Sequence, residues 1–340
     1  MKRFEGFQRG INLGGWLSQC DYSEERFRNF IKEEDIRRIS SWGLDHIRIP
    51  VDYNLFEDEQ GNYIESGFAH LQDGVDWAFK YGLNVIIDLH KTYGFSFDHK
   101  EGEEGFFEKE EYQERFYRLW EEIARRFGGH GDKIAFELLN EVTDKAYCEI
   151  WNEIADRCIE RIRKICPQIR ILIGGYYNNS VEAVKDLRLP HDENIVYNFH
   201  CYNPLVFTHQ GAYWIPLMPH DYRIGIDEDM AIMKLEALEV TGRPLVGYDS
   251  SEEKLSASYF RRIFAEAISV AEERGVPLYC GEYGVINLAD ARQTVEWYRM
   301  INEVFKEHGI GRAAWSYKEM DFGFIDEHMK DVLDEIIELL

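Results

Sequence analysis

Eight short apolar runs rich in β-branched residues recur along the chain, separated by longer stretches in which apolar residues return every three or four positions. The runs are Gly10 to Leu13, His46 to Ile49, Asn84 to Leu89, Ile134 to Leu139, Arg170 to Ile173, Ile195 to Phe199, Leu278 to Cys280 and Ala313 to Trp315. Between them the periodicity predicts amphipathic helices, among them Glu34 to Ser41, Leu71 to Tyr81, Glu111 to Phe127, Tyr147 to Ile165, Ser256 to Arg274 and Ala291 to His308. Gly43, Gly82, Gly128, Gly275 and Gly309 follow helical stretches and read as left-handed C-caps leading into the next strand. Strand and helix alternating through eight rounds fit an α/β fold of the closed (β/α)8 TIM barrel type better than an open doubly wound sheet. Residues 1–340 are expected to form one catalytic barrel.

The interval from the sixth run to the seventh is much the longest. The extra segment, Asn203 to Leu255, holds Pro204, Tyr213, Trp214, Pro216, Pro219 and Tyr222, then a helical run from about Asp229 to Val240. Because it leaves the C-terminal end of a strand, it is expected to be a small inserted subdomain over the barrel mouth.

Composition narrows the range of partners. With 45% apolar and 14% aromatic residues the chain can bury a large core. Its net charge of −24 repels phosphate backbones and anionic lipids, so neither nucleic acid nor membrane is expected, and a neutral substrate is. No apolar run is long enough to span a bilayer. Met1 to Gly15 lacks a signal-peptide pattern, so the expected location is cytoplasmic, with secretion the alternative if a leader has been removed. The six cysteines, Cys20, Cys148, Cys158, Cys166, Cys201 and Cys280, show no CxxC pairing and read as reduced thiols in a monomer.

In a barrel the residues just after each strand converge on one face. Here they are Asn12, Arg48, His90, Asn140 with Glu141, His200 with Tyr202, Glu282 with Tyr283, and Trp315. Two carboxylates facing one another at roughly 5 Å are what retaining glycoside hydrolysis requires. One must stay protonated to donate to the leaving oxygen, and the other must be ionised to attack the anomeric carbon. Arg48 and Tyr202 are placed to hold Glu282 as the carboxylate, leaving Glu141 with the proton. A purely structural barrel salt bridge is an equal reading of Arg48. Asn140 offers an amide to a sugar hydroxyl, and Trp315 a flat face to a pyranose ring. His90 and His200, each near an acid (Asp88 or Glu141), leave a metal site open, but neither H-x-H nor H-E-x-x-H spacing occurs, so no metal and no cofactor is expected. Tyr213 and Trp214 suit either sugar stacking or the insertion's own small core.

With these residues placed, the chain resembles glycoside hydrolase family 5, the cellulase family, and within it the endoglucanase C group. The resemblance rests on GINLGGWLSQ (Gly10 to Gln19), HIRIP (His46 to Pro50), IAFELLNEV (Ile134 to Val142), YNFHCYNP (Tyr197 to Pro204), FTHQGAYW (Phe207 to Trp214), LYCGEYGV (Leu278 to Val285) and AAWSYKEMDF (Ala313 to Phe322). It implies a retaining β-glycosidase, foremost an endo-β-1,4-glucanase acting on cellulose-type or mixed-linkage β-glucan or oligosaccharides by double displacement. By the same resemblance Glu141 is the acid/base and Glu282 the nucleophile. Arg48, His90, Asn140, His200 and Tyr202 are their support, and Trp315 is the platform under the cleaved sugar. Two departures stand out: DLHKTYG puts Lys91 where much of the family has a second histidine, and the insertion differs around Val240 to Ser251. A β-mannanase, exo-β-glucanase or β-glucosidase shares the same residues, and a catalytically silent carbohydrate-binding barrel is the alternative from another class.

Overall fold

A computed structural model describes all residues 1–340. Its strands are β1 (Arg9–Asn12), β2 (His46–Asp52), β3 (Asn84–Lys91), β4 (Ile134–Glu137), β5 (Arg170–Ile173), β6 (Ile195–Cys201), β7 (Leu278–Tyr283) and β8 (Gly311–Ala314). They pair in parallel in chain order and close into a barrel through β1 and β8. Side chains alternate across each strand, so one set faces the helices and the other fills the barrel. The outer set joins the helices in one continuous core. At the N-terminal end of the strands the inner set is mostly apolar, with Ile86, Ala135, Leu172, Val196, Tyr279 and Ala313 closed from below by Phe4 and Phe7, and with buried His46 paired to the Tyr279 hydroxyl at 2.6 Å as its one polar member. Toward the other end it becomes polar, with Arg48, Asp88, Glu137 and Asn198 all buried. The floor of the mouth is therefore a charged layer resting on an apolar plug.

Most expected helices occur within a residue or two of their expected ends, as in Glu110–Phe127 and Ala291–His308. The helix Glu65–Lys80 starts earlier than its periodicity suggested. Gly43, Gly82, Gly275 and Gly309 have positive φ, as expected, but Gly128 does not. Its φ is −68°, and the chain continues into a 3-10 turn over Gly128–Lys133. The need for glycine there is steric, since a Cβ would stand 2.7 Å from Cys166 Sγ. The link from β5 to β6 has no regular helix, only a tight turn (Tyr176–Asn179) and a 3-10 segment (Val181–Asp186).

The chain between β6 and the helix Ala257–Arg274 forms a short helix (Leu205–Thr208), a series of turns, and the helix Met230–Thr241, capped by Asp229. That helix buries Met230, Met233, Ala237 and Val240. No helix is long and apolar enough to cross a membrane. The two ends of the barrel differ in backbone strain. All nine non-glycine residues at positive φ, namely Gln19, Tyr22, Glu141, Tyr177, Asn178, Asn179, Glu319, Met320 and Asp321, lie on segments that follow a strand's C-terminal end.

Candidate active site

Arg48 is the hub of the charged layer. Fully buried on β2, it donates from Nη1 to Glu282 Oε1 (2.8 Å) and Asn12 Oδ1 (2.8 Å), and from Nε and Nη2 to the two oxygens of Glu137 (2.7 and 2.9 Å). Nη2 also reaches Asn140 Oδ1 and Asp88 Oδ2, each at 3.0 Å. Burial alone would lower the pKa of this guanidinium, but Asp88, Glu137 and Glu282 outweigh it and hold the group protonated. Burial raises the Glu137 carboxyl, and pushes Asp88 up to about 7. Arg48 thus serves both readings of it, as a buried salt bridge and as a partner of Glu282.

Glu282 faces inward because β7 is irregular. Strict alternation from Tyr279 would turn Gly281 inward and Glu282 out, but a register shift at Phe199/His200 pairs His200 with Glu282. Gly281 permits this close approach; a Cβ there would lie 2.8 Å from Asn198 Oδ1. The second oxygen of Glu282 accepts from Tyr202 Oη at 2.9 Å, so a cation and a hydroxyl both donate to this carboxylate.

Glu141, at φ +47° just beyond β4, is held differently. Its Oε1 is 2.8 Å from His200 Nδ1 and its Oε2 accepts from Asn178 Nδ2 at 3.1 Å. Asn179 Nδ2 lies 3.5 Å from His200 Nε2, so the ring is held between Asn179 and Glu141. Burial lowers His200 to about 4, keeping it neutral at pH 7, and burial also raises the Glu141 carboxyl. One carboxylate therefore has a cation against it and the other a neutral ring. Side-chain ligand atoms of Glu141, His200 and Glu282 lie within 4.8 Å of one another. These types of donor also suit a metal, but the Arg48 charge already lies against Glu282 and opposes a second cation.

His90 sits beside this pair, its Nδ1 2.7 Å from Asp88 Oδ2 and its Nε2 3.4 Å from the Asn140 amide. Burial lowers its pKa as well. The Trp315 ring is parallel to the His90 ring within 7° at 5.9 Å, and Gly14 makes room for it, since a Cβ there would stand 2.7 Å from the indole. Trp214 is half-buried and packs on His209 and Phe322, in the same cluster as Trp315 and away from the buried face of the insertion's helix. Tyr213 is 65% exposed. Trp214→Ala is expected to cost well under the roughly 3–5 kcal/mol of a fully buried tryptophan. The same change should slow hydrolysis of long chains about fivefold relative to a small aryl glycoside, by loss of ring stacking. Melting temperature and the two rates check this, and a large drop in melting temperature with both substrates equally affected would make the residue structural.

The expected residues Arg48, His90, Asn140, Glu141, His200, Tyr202, Glu282 and Trp315 thus meet at one end of the barrel, with Trp214 at its rim. Sequence reasoning missed Glu137, Asn198 and Asn178. Glu137 and Asn198 are two steps along β4 and β6 from inward Ala135 and Val196, so period-two alternation could have found them. Asn178 lies in the turn after β5, and no local pattern marks it.

The model of the cellulase family, glycosyl hydrolase family 5, matches residues 8–321. Cellodextrinase A of Ruminococcus flavefaciens is 51% identical over 92% of this chain and 86% of its own length. Endoglucanase C of Acetivibrio thermocellus is 36% identical over 98% of both chains. The crystal structure of a hyperthermophilic endo-β-1,4-glucanase in complex with substrate superposes with a TM-score of 0.78 at 25% identity, covering 99% of both chains.

Proposed function

Since the chain belongs to glycosyl hydrolase family 5, the cellulase family, we propose that it is a retaining endo-β-1,4-glucanase in which Glu282 is the nucleophile and Glu141 the acid/base. The observation that carries this reading is the unlike environment of two neighbouring carboxyl groups, one clamped by Arg48 and Tyr202, the other buried against neutral His200. Their proximity suits the roughly 5 Å of retaining enzymes and leaves no room for the water that inversion needs between them.

A glucosyl unit seated against Trp315, with Asn140 and His90 toward its hydroxyls, presents its anomeric carbon to Glu282. Glu282 forms a bond to that carbon while Glu141 gives its proton to the departing glycosidic oxygen. The negative charge of Glu282 is consumed in the ester, so Glu141 ionises more readily just when it must act as base. It then takes a proton from water, whose oxygen displaces Glu282 and restores the β configuration. Tyr202 and Arg48 hold the carboxylate in place throughout, and the charge of Arg48 stays balanced by Glu137 and Asp88. We read residues 203–255 as a subdomain forming a wall of the cleft, and the protein as a monomer whose strongly acidic surface suits a neutral glycan rather than a nucleic acid or an anionic membrane.

On a panel of barley β-glucan, carboxymethylcellulose, laminarin, mannan and aryl β-glucosides, the expected result is cleavage of the β-1,4 and mixed-linkage polymers with a rapid fall in viscosity. The first product should be β by proton NMR, and EDTA should have no effect. An α product, a preference for laminarin or mannan, or loss of activity on chelation would overturn the reading.

A further inference from the structure

Lys91, at the end of β3, is buried and bound on several sides. Its Nζ donates to Tyr22 Oη at 2.8 Å and lies 3.2 Å from Glu101 Oε2 and 3.9 Å from Asp52 Oδ2. Tyr22 donates in turn to Asp52, which also accepts from Ser18 Oγ and the Gln19 amide. These groups come from three places: the segment after β1, the end of β2, and the loop between β3 and the helix Glu110–Phe127. A second tie fastens that loop, as Glu103 accepts from Tyr53 Oη (2.6 Å) and from the Gly94 amide (2.8 Å). Inside the ties, half-buried Phe97 sets its ring edge-on to His90 at 5.2 Å. The loop is thus pinned against the floor of the site, next to the His90 and Trp315 rings.

The catalytic assignment gives this wall a direction. The leaving aglycone must depart over Glu141, whose side of the mouth is built from β4 and from Asn178 after β5. The retained, glycone part of the chain therefore lies over the other strand ends, β8 through β3, where Lys91, Tyr22 and Glu101 stand.

We propose that Lys91, braced by Tyr22, Asp52 and Glu101, is a specificity-determining residue that narrows the glycone end of the cleft, weakening its grip on glucosyl units beyond the first few and so raising the relative efficiency on short, soluble β-1,4-glucans while internal bonds of long chains stay open to attack. The inference rests on the function proposed above and deepens it. The test compares kcat/KM for cellotriose and cellohexaose, with bond positions mapped by reducing-end ¹⁸O labelling, in the wild type, Glu101→Ala, Lys91→Ala and Lys91→His. Glu101 lies on a partly exposed loop, so its removal cuts the strap without unpairing Asp52. In the wild type, cellohexaose should be cut near its non-reducing end. In Glu101→Ala and Lys91→Ala the preferred bond should move inward, and the ratio of cellohexaose to cellotriose kcat/KM should rise about fivefold or more. Lys91→His should shift the bond position less than Lys91→Ala does. An unmoved bond position and ratio in folded Glu101→Ala, as checked by circular dichroism, would overturn the wall. A wild type inactive on both oligosaccharides would instead refute the glucanase assignment beneath it.

Discussion

Glu282→Gln is expected to abolish turnover of every substrate, by roughly four orders of magnitude or more, with the fold intact. The amide keeps the shape of the carboxylate, its oxygen can still accept from Arg48 and its NH2 can donate to the Tyr202 hydroxyl, but it cannot form the glycosyl ester. No other acid can take its place. Glu137 and Asp88 are fully buried, and Glu137 is occupied by Arg48 through both oxygens, while Glu141 sits on the leaving-group side. A good leaving group should not rescue this variant, because the missing partner is needed whatever departs. Near wild-type rates with an unchanged circular dichroism spectrum would move the nucleophile elsewhere.

Glu141→Ala should behave in the opposite way, and the contrast separates the two roles. Hydrolysis of unactivated glucan should fall by about 10²–10⁴-fold, the usual contribution of a positioned acid. An aryl glycoside with a good leaving group needs no proton in the first step, so glycosylation should persist and the intermediate accumulate as a burst. Azide, small enough for the space left by the side chain and needing no base, should restore turnover and give a β-glycosyl azide. The pH dependence follows from burial, which raises the Glu141 carboxyl and keeps it protonated to higher pH than an ordinary glutamic acid. In the wild type, kcat/KM for unactivated chains should therefore decline as pH rises through that elevated value. The alkaline limb should vanish for the variant on the activated substrate. No burst and no azide rescue would remove Glu141 as the acid/base.

How much of this was legible depended on whether a residue's position follows from local periodicity. The eight strands were readable because parallel strands buried on both faces are continuous apolar runs, and closure followed from their number. Arg48, Glu141 and Glu282 were readable because polar residues ending such runs gather at one face. What alternation could not give was the orientation of Glu282, which depends on the irregular pairing of β6 and β7 and on a glycine chosen to fit Asn198 and His200. Gly128 looked like the other helix-ending glycines, yet what selects it is Cys166, a contact made only in three dimensions. Asn178 touches Glu141 across 37 positions of sequence, through a turn with no regular pattern. Trp214 offered two roles that the sequence weighted equally, and its contacts with Phe322 and His209, far apart in sequence, form only in the fold.

The uneven distribution of left-handed residues bears on how the protein can change over time. Each non-glycine residue in that region costs about 1–2 kcal/mol relative to a relaxed backbone, and here the burden falls wholly on the end that carries the chemistry. Random substitutions screened only for heat resistance would thus find their easiest gains at the mouth, by placing glycine at positions such as Tyr177, Met320 or Glu141 itself, and would erase function as they accumulate. The opposite end, where glycines already occupy the left-handed turns after the helices, offers no such gains. Thermostabilising this enzyme without losing it therefore means looking to the helices and the plug, and leaving the strained face alone.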